Sequence, residues 1–311
     1  MKNLIGNTPL IKIKYKYNNE IRNVYAKLEY YNLTGSIKDR MAYYIITEAY
    51  KNNLLAKNQP IIEATSGNTG ISLSAIGAYF SNPVYIFMPD WVSKERKQIM
   101  EKYGAKVNLI SKEEGGFLEC IKRADNLAKQ LNGFRPNQFS NKLNEEINYK
   151  TTAQEIIDKE INIEAFVSGV GTGGTLMGIG KKLKEKNENT KIIAIEPENL
   201  PLISQGKVKG NHKIEGIGDD FIPDLLDKNI IDKVILINDE DAINMSNLLT
   251  KKLGIGVGIT SGANFLGAVL SKLDNVVTVF PDDLKKYLSV QCKNTEDLIS
   301  NQIELIDYEI V

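Results

Sequence analysis

Short apolar runs alternate with longer segments of helical periodicity along almost the whole chain. Eight runs are predicted to be strands, namely Val24–Leu28, Ile61–Ala64, Val84–Met88, Lys106–Ile110, Ala165–Ser168, Lys191–Ile195, Lys233–Ile237 and Val276–Phe280. Seven intervening segments are predicted to be helices, namely Ile37–Asn52, Thr69–Phe80, Ser93–Tyr103, Gly116–Leu131, Gly173–Lys186, Glu240–Leu253 and Ala263–Leu273. Because such alternation favours parallel strands with helices on both faces, the sequence predicts an α/β fold with mostly parallel, twisted sheets.

The length of the chain exceeds what one hydrophobic core usually covers. A chain of 311 residues favours two domains or one large α/β unit. The polar segment Phe134–Asn148 is the best candidate for a crossing between two lobes. We therefore expect a larger domain of residues 1–36 and 145–311 and a smaller domain of residues 37–144.

Charge and cysteine content exclude several classes of protein. Lys plus Arg and Asp plus Glu both number 39, so no net field attracts nucleic acid or an acidic membrane. Met1–Leu10 lacks a signal pattern, and no apolar run reaches membrane-spanning length, so a cytoplasmic protein is expected. Cys120 and Cys292 lie far apart and His212 is the single histidine, which argues against a disulfide framework and a metal site.

Three loops after predicted strands are rich in glycine and hydroxyl residues. Ligands of parallel sheets bind at such loops, which follow the carboxyl ends of strands. The first loop, residues 65–70 (Thr-Ser-Gly-Asn-Thr-Gly), could surround a carboxylate with its amides and hydroxyls. It fits an ordinary turn with a helix cap about as well. The third, Gly258–Ala263, taken alone favours a helix cap at Thr260 or Ser261.

The second loop, Gly169–Thr175, matches Gly-x-Gly-x-x-Gly and is followed by Glu196 after the next strand. That spacing is compatible with a dinucleotide site, so an NAD-dependent dehydrogenase is one alternative. The loop also has more donors than a tight turn needs. A compact phosphate monoester would account for the surplus.

Lys38 is unusual because it stands in the first turn of a predicted helix, next to Gly35 and Ser36. The helix dipole disfavours positive charge at an N-terminus. Helix field and burial together would lower the pKa of the lysine and supply a neutral amine for a Schiff base or a general base.

Four motifs in order resemble those of one enzyme family. They are Gly-Ser-Ile-Lys-Asp-Arg at 35–40, Thr-Ser-Gly-Asn-Thr-Gly at 65–70, Gly-Thr-Gly-Gly-Thr at 171–175 and Ser-Gly-Ala at 261–263. With these motifs the chain resembles the cysteine synthase and cystathionine β-synthase family from Ile5 to about Leu288. The resemblance implies the fold of the tryptophan-synthase β type, fold type II, with pyridoxal 5'-phosphate as cofactor. It also implies a homodimer and an amino-acid substrate.

The resemblance assigns the cofactor-binding residues by position. Lys38 matches the lysine that forms the Schiff base, and Asn68 matches the asparagine beside the 3-hydroxyl group. Ser261 matches the serine that faces the pyridine nitrogen. The larger domain is expected to hold the cofactor phosphate through Gly171, Thr172, Gly173, Gly174 and Thr175.

The smaller domain is expected to be mobile and to bind the substrate α-carboxylate. The matching residues are Thr65, Ser66, Thr69 and Gln138, and Gly218 is a further candidate substrate contact. A neutral hydroxyl at the pyridine nitrogen, unlike an aspartate, disfavours a long-lived carbanion. The expected chemistry is therefore β-elimination followed by addition of a nucleophile to an aminoacrylate.

Asp219 departs from the cysteine synthase pattern. The segment Glu215–Pro223 matches a stretch over the active site in which cysteine synthases typically carry alanine and glycine where this chain carries Asp219 and Asp220. A carboxylate facing the β-carbon would repel hydrosulfide and suit a neutral nucleophile. The sequence therefore predicts release of hydrogen sulfide from L-cysteine, with water giving L-serine or a second thiol giving lanthionine or a related thioether.

Three alternatives stay open at this point. One is a cysteine synthase that makes L-cysteine from O-acetylserine and sulfide, with Asp219 turned to solvent or protonated. A dehydrogenase leaves Lys38 and the 65–70 loop unexplained. A silent relative that only binds partners would have a damaged cofactor site, whereas the motifs here are intact.

Overall fold

The computed structural model describes residues 1–207, 210–290 and 298–311. Ten strands occur there: β1 Leu10–Tyr17, β2 Glu20–Leu28, β3 Ile61–Ala64, β4 Val84–Pro89, β5 Lys106–Ile110, β6 Ala165–Gly169, β7 Lys191–Pro197, β8 Lys233–Ile237, β9 Val276–Phe280 and β10 Glu304–Ile310. Cys292 lies outside the described residues, and Cys120 is a buried free thiol.

The helices that accompany the strands include all seven that the sequence predicts, with ends that differ by at most four residues. They are α1 Lys38–Lys51, α2 Asn68–Phe80, α3 Lys94–Lys102, α4 Gly116–Leu131, α5 Leu143–Ile147, α6 Ala153–Ile157, α7 Gly174–Lys186, α8 Leu202–Gln205, α9 Asp239–Leu253 and α10 Ile259–Ser271. Within the described ranges, none is long and apolar enough to cross a membrane.

The strands form two sheets. The larger has the order β10-β1-β2-β9-β6-β7-β8 and the smaller has the order β3-β4-β5. All pairs from β2 to β8 in the larger sheet are parallel, as are both pairs of the smaller sheet. The predicted α/β fold is therefore confirmed. Its antiparallel edge, in which β1 pairs with β2 and β10, was not predicted.

The two sheets are built from different parts of the chain. The three strands of the smaller sheet lie between residues 37 and 144, and the other seven lie outside that range. Helix α1 contributes Ala42, Ile46 and Ala49 to the core of the smaller sheet. The segment predicted to cross between the lobes starts beside β3, since Phe134 forms a bridge with Ile61. The exact domain boundaries stay a prediction.

A buried ionic cluster fixes the start of α1 against the part of the chain that forms the larger sheet. The Arg40 guanidinium donates to Glu29 at 2.7 Å and to Glu155 at 2.6 Å. Lys27 pairs with Glu155 at 2.7 Å. Burial alone would raise the pKa of Glu155, but Arg40 and Lys27 overcome this and hold it at about 2. Because Arg40 is two residues from Lys38, the cluster also fixes the position of that lysine.

Candidate active site

One cavity lies between the two sheets and brings the predicted motifs together. Among the predicted site residues, those that line it are Lys38, Thr65, Ser66, Asn68, Thr69, Gln138, Gly171, Thr172, Gly173, Thr175 and Asp219. Its walls come from loops that follow β3, β6 and β9, where ligands of parallel sheets are expected. Gly174, Gly218 and Ser261 are predicted site residues that are not part of this lining.

Lys38 is the first residue of α1, as the sequence predicts. The preceding residues are held by the chain after β9, since Ser36 bridges to Asp282 and the Ile37 amide donates to the Pro281 carbonyl at 2.9 Å. Burial lowers the pKa of the Lys38 amine, while the nearby carboxylates of Asp282 and Asp219 partly oppose that shift. The arrangement favours the neutral amine that a Schiff base or a general base requires.

The loop after β3 is shaped by its own hydroxyl groups. The Gly67 amide donates to Thr65 Oγ1 at 3.0 Å, and Thr69 Oγ1 donates to Gln138 Oε1 at 2.5 Å. Gln138 in turn donates through Nε2 to the Ala64 carbonyl at 3.0 Å. A Cβ at position 67 would lie 2.4 Å from the Arg96 side chain, so glycine is required there. Thr69 and Gln138 thus lie together at the start of α2.

Asn68 is held in one orientation. Its Nδ2 donates to Asp282 Oδ2 at 2.7 Å, while its Oδ1 is buried without a hydrogen-bond partner in the described part of the chain. Because a buried polar atom is costly without a partner, the free Oδ1 indicates a polar ligand in the cavity.

The loop after β6 forms a cradle at the N-terminus of α7. A Cβ at Gly171 would lie 2.4 Å from the Gly216 carbonyl oxygen, and Gly173 has φ +85°. Thr172 Oγ1 accepts from Asn144 Nδ2 at 2.9 Å. Gly174 begins α7 and packs against Asn144, since a Cβ there would lie 2.3 Å from its oxygen. Free amides at a helix start bind anions, so the cradle fits a phosphate monoester.

The structure places Thr260, and not its neighbour Ser261, in the lining of the cavity. Thr260 lines the cavity and donates from Oγ1 to the Glu215 carbonyl at 2.9 Å. Ser261 is fully buried and its hydroxyl has no partner among the described residues. Consecutive helical residues point about 100° apart, so Thr260 and Ser261 face different directions. Thr260 therefore presents a neutral hydroxyl residue in the cavity wall, and the expected contact of Ser261 with a ring nitrogen stays a prediction.

Gly218 supports the loop rather than lining the cavity. Its amide donates to the Val170 carbonyl at 3.0 Å, and its carbonyl accepts from His212 Nε2 at 2.7 Å. It adopts φ +72°, which favours glycine. These contacts hold the chain immediately before Asp219.

Asp219 is one of the residues that line the cavity. Burial and then the neighbouring Asp220 carboxylate raise its pKa to about 6, and the Lys38 amine opposes this shift. A carboxyl group with that pKa is mostly ionised at neutral pH and is a stronger base than an ordinary aspartate.

A hydrogen-bonded cluster in the cavity wall was not predicted from the sequence, and its members Arg96, Glu215 and Asp282 line the cavity. Arg96 donates to Tyr287 Oη at 2.7 Å and forms an ion pair with Glu215. Tyr287 donates to Asp282 Oδ2 at 2.6 Å, the oxygen that also accepts from Asn68. These residues are distant in sequence, and no local motif marks them. The cluster ties the 65–70 loop to the segment that carries Asp219.

The dinucleotide alternative is disfavoured by Glu196. Its side chain is buried and accepts from the amides of Ile203 at 2.7 Å and Ser204 at 3.0 Å. A carboxylate occupied in this way cannot bind a ribose hydroxyl. It accepts hydrogen bonds from amides in the short helix α8 instead.

Comparison with known proteins gives a consistent result. A family model described as pyridoxal-phosphate dependent enzyme matches residues 1–282. The crystal structure of a hydrogen sulfide-producing enzyme from Fusobacterium nucleatum is 48% identical, covers 100% of this chain and 98% of its own, and has a TM-score of 0.94. An aspartate-to-asparagine mutant of a hydrogen sulfide-producing enzyme, complexed with an α-aminoacrylate intermediate, is 47% identical over 100% of this chain and 98% of its own, with a TM-score of 0.95.

Cysteine synthases are also similar. Cysteine synthase B of Campylobacter jejuni is 42% identical over 291 residues, which are 92% of this chain and 95% of that protein. The cysteine synthase of Staphylococcus aureus strain N315 is 38% identical over 301 residues, which are 94% of this chain and 96% of that protein.

Proposed function

We propose that this chain, which belongs to the pyridoxal-phosphate dependent enzyme family, releases hydrogen sulfide from L-cysteine and adds water to form L-serine. It is a β-replacing enzyme of the cysteine synthase group that acts on L-cysteine or O-acetylserine. The reaction balances as L-cysteine plus water giving L-serine plus hydrogen sulfide. The observation that carries the proposal is the carboxylate of Asp219 in the cavity wall.

The residues of the cavity suit the cofactor. Gly171, Thr172, Gly173 and the N-terminus of α7 would hold its phosphate, and Thr260 or Ser261 would face its ring nitrogen. The unpaired Oδ1 of Asn68 would take a polar group of the ring. Pyridoxal phosphate, when bound, withdraws electrons from the amino acid and so acidifies the proton on Cα.

Lys38 is proposed to bind the cofactor and then to move the Cα proton. Its lowered pKa provides the neutral amine needed to accept that proton. The carboxylates of Asp282 and Asp219 favour the charged form that results. The same amine can return the proton to Cα once the new bond to Cβ has formed.

Thr69 and Gln138 are proposed to hold the substrate carboxylate. Their side chains meet at the start of α2, where helix amides also favour an anion. This contact orients the substrate so that its β-carbon can face Asp219.

Asp219 is proposed to select the nucleophile. A carboxylate about 5 Å from the β-carbon opposes an approaching hydrosulfide anion by about 3 kcal/mol at an effective dielectric constant near 20. It assists water, because it can accept a proton as the water oxygen bonds to Cβ. The asparagine mutant of the similar hydrogen sulfide-producing enzyme, complexed with an α-aminoacrylate, supports the view that an aspartate acts after sulfur has left.

A second nucleophile is supported by one further observation. A groove that shares Ser66, Gly216 and Asp219 with the cavity opens outward past Trp91 and Lys112. A second L-cysteine in this groove would give lanthionine in place of serine.

The proposal is tested by comparing two reactions of the purified holoenzyme at pH 7.5. One assay measures sulfide, serine and lanthionine formed from L-cysteine. The other measures L-cysteine formed from O-acetylserine and sulfide. We expect the first reaction to be faster, with serine as the main product. Fast cysteine synthesis with negligible sulfide release would establish a cysteine synthase instead. Lanthionine as the main product would show that the nucleophile is a second thiol and not water.

A further inference from the structure

Three aromatic side chains connect the Asp219 segment to the opposite half of the molecule. Phe221 lies 5.0 Å from Phe139 and 6.3 Å from Phe117 between ring centroids. Phe117 and Phe139 are 5.6 Å apart, with their rings nearly perpendicular. We call Phe117, Phe139 and Phe221 the aromatic cluster. Edge-to-face and offset pairs at these distances are favourable beyond the area that they bury.

The cluster spans the two sheets. Phe117 is in the first turn of α4 and belongs to the core of the smaller sheet, against which Phe139 and Phe221 pack. Phe221 comes from the chain after β7, a strand of the larger sheet. Phe221, from the part of the chain that forms the larger sheet, is therefore packed against the core of the smaller sheet.

The segment around Asp219 has few other attachments. Gly218 is held by its hydrogen bonds to Val170 and His212. Among the described residues, no backbone amide or carbonyl of residues 219–222 bonds to another backbone group. The Asp219 carboxylate likewise has no hydrogen-bond partner in that part of the chain. Its position depends on Gly218 on one side and on Phe221 on the other.

We propose that the aromatic cluster positions the Asp219 carboxylate in the cavity wall, so that it meets the attacking water rather than bulk solvent. The inference rests on the proposed role of Asp219 in adding the nucleophile. Neither Phe117 nor Phe221 lines the cavity, so both would act on the reaction only through Asp219. Phe221 does so along the chain, two residues after Asp219, and Phe117 does so by its contact with Phe221. Both are therefore positioning residues. Phe139 lines the cavity next to Gln138, so the cluster also links the proposed carboxylate site to Asp219.

The test uses Phe221→Leu and Phe117→Leu, which keep an apolar side chain but remove a ring. In each variant the first equivalent of sulfide per active site should appear at the wild-type rate, because sulfur leaves before Asp219 acts. Steady-state turnover from L-cysteine should fall about tenfold or more, the effect expected from losing the two ring pairs that each of these side chains makes. The double variant should be less impaired than the product of the single effects, because both act through one contact.

The pH profile separates positioning from general destabilisation. Burial raises the pKa of Asp219, so better access of water should lower it and move the acidic limb of turnover to lower pH. Phe221→Tyr, which keeps the ring, should retain the wild-type limb. Phe80→Leu is the matched control, since Phe80 is partly buried and contacts two rings, Tyr50 at 5.2 Å and Tyr79 at 5.0 Å. Phe80→Leu should change thermal stability without moving the acidic limb of the pH profile.

The outcomes are distinguishable. If Asp219→Asn turns over L-cysteine like the wild type, the proposed function fails. If Asp219→Asn is slow but Phe221→Leu and Phe117→Leu behave like Phe80→Leu, only the positioning role fails. A slower first sulfide equivalent in Phe221→Leu would also overturn it, because the cluster would then act before the Asp219 step.

Discussion

Replacing Asp219 by asparagine should change the two possible additions in opposite directions. The substitution removes a negative charge and a base while it keeps nearly the same volume. Water addition should fall by at least about a hundredfold, the lower range of general base catalysis. Hydrosulfide addition should rise by up to about a hundredfold, because the repulsion of about 3 kcal/mol is lost.

The assay is the ratio of two rates at pH 7.5, serine formation from L-cysteine and cysteine formation from O-acetylserine with sulfide. The wild-type ratio should depend on pH through the pKa of Asp219, which is raised to about 6. Above this pH the carboxylate is charged and favours water, and below it the preference should decline. Asp219→Asn should lack that dependence.

Asp220→Asn is the matched control, because Asp220 is the adjacent carboxylate and is exposed. It should keep the wild-type preference for water. Since Asp220 raises the pKa of Asp219, the acidic limb should move slightly to lower pH. A parallel fall of both additions in Asp219→Asn, or an unchanged ratio, would refute the charge argument.

Three other predictions concern the cofactor, the substrate and stability. Lys38→Ala should lose the borohydride-reducible absorbance band and turnover together, and retention of both would exclude Lys38 as the cofactor lysine. Thr69→Val or Gln138→Leu should weaken amino-acid binding by about 1.5–3 kcal/mol, roughly ten- to a hundredfold, without loss of cofactor, as equilibrium titration would measure. The pKa of Glu155 is held at about 2 by Arg40 and Lys27, so its contribution to stability is present above about pH 4.5 and is lost as the pH falls towards 2. Denaturant unfolding should show that loss in the wild type and a smaller one in Glu155→Gln, and identical acid dependence would contradict it.

Much of the site could be predicted because its residues form local motifs. Glycines and hydroxyls after β3 and β6 act on the backbone next to them in sequence, as the Gly67 amide that donates to Thr65 Oγ1 illustrates. Lys38 could be identified because the helix dipole disfavours a positive charge at a helix start, so a lysine there indicates a function. In these cases the requirement and the residue lie within one turn of each other.

The rest depends on contacts between distant segments. The alternation of apolar and lysine residues in Leu10–Tyr17 is the signal of a half-buried strand, but it breaks the strand–helix alternation. Its partner β10 is largely exposed and is defined by pairing such as Ile11 with Ile310. The choice between Thr260 and Ser261 depends on the rotation of α10, and the contacts of Arg96 with Tyr287 and Glu215 depend on packing between the halves.

The most direct test of the central claim is the fate of solvent oxygen. L-cysteine is incubated with the holoenzyme in water enriched in oxygen-18, and serine is analysed by mass spectrometry while sulfide is measured in parallel. Addition of water at the β-carbon should give one labelled hydroxyl oxygen per serine and one serine for each sulfide released. Sulfide release without labelled serine would contradict the addition of water at the β-carbon.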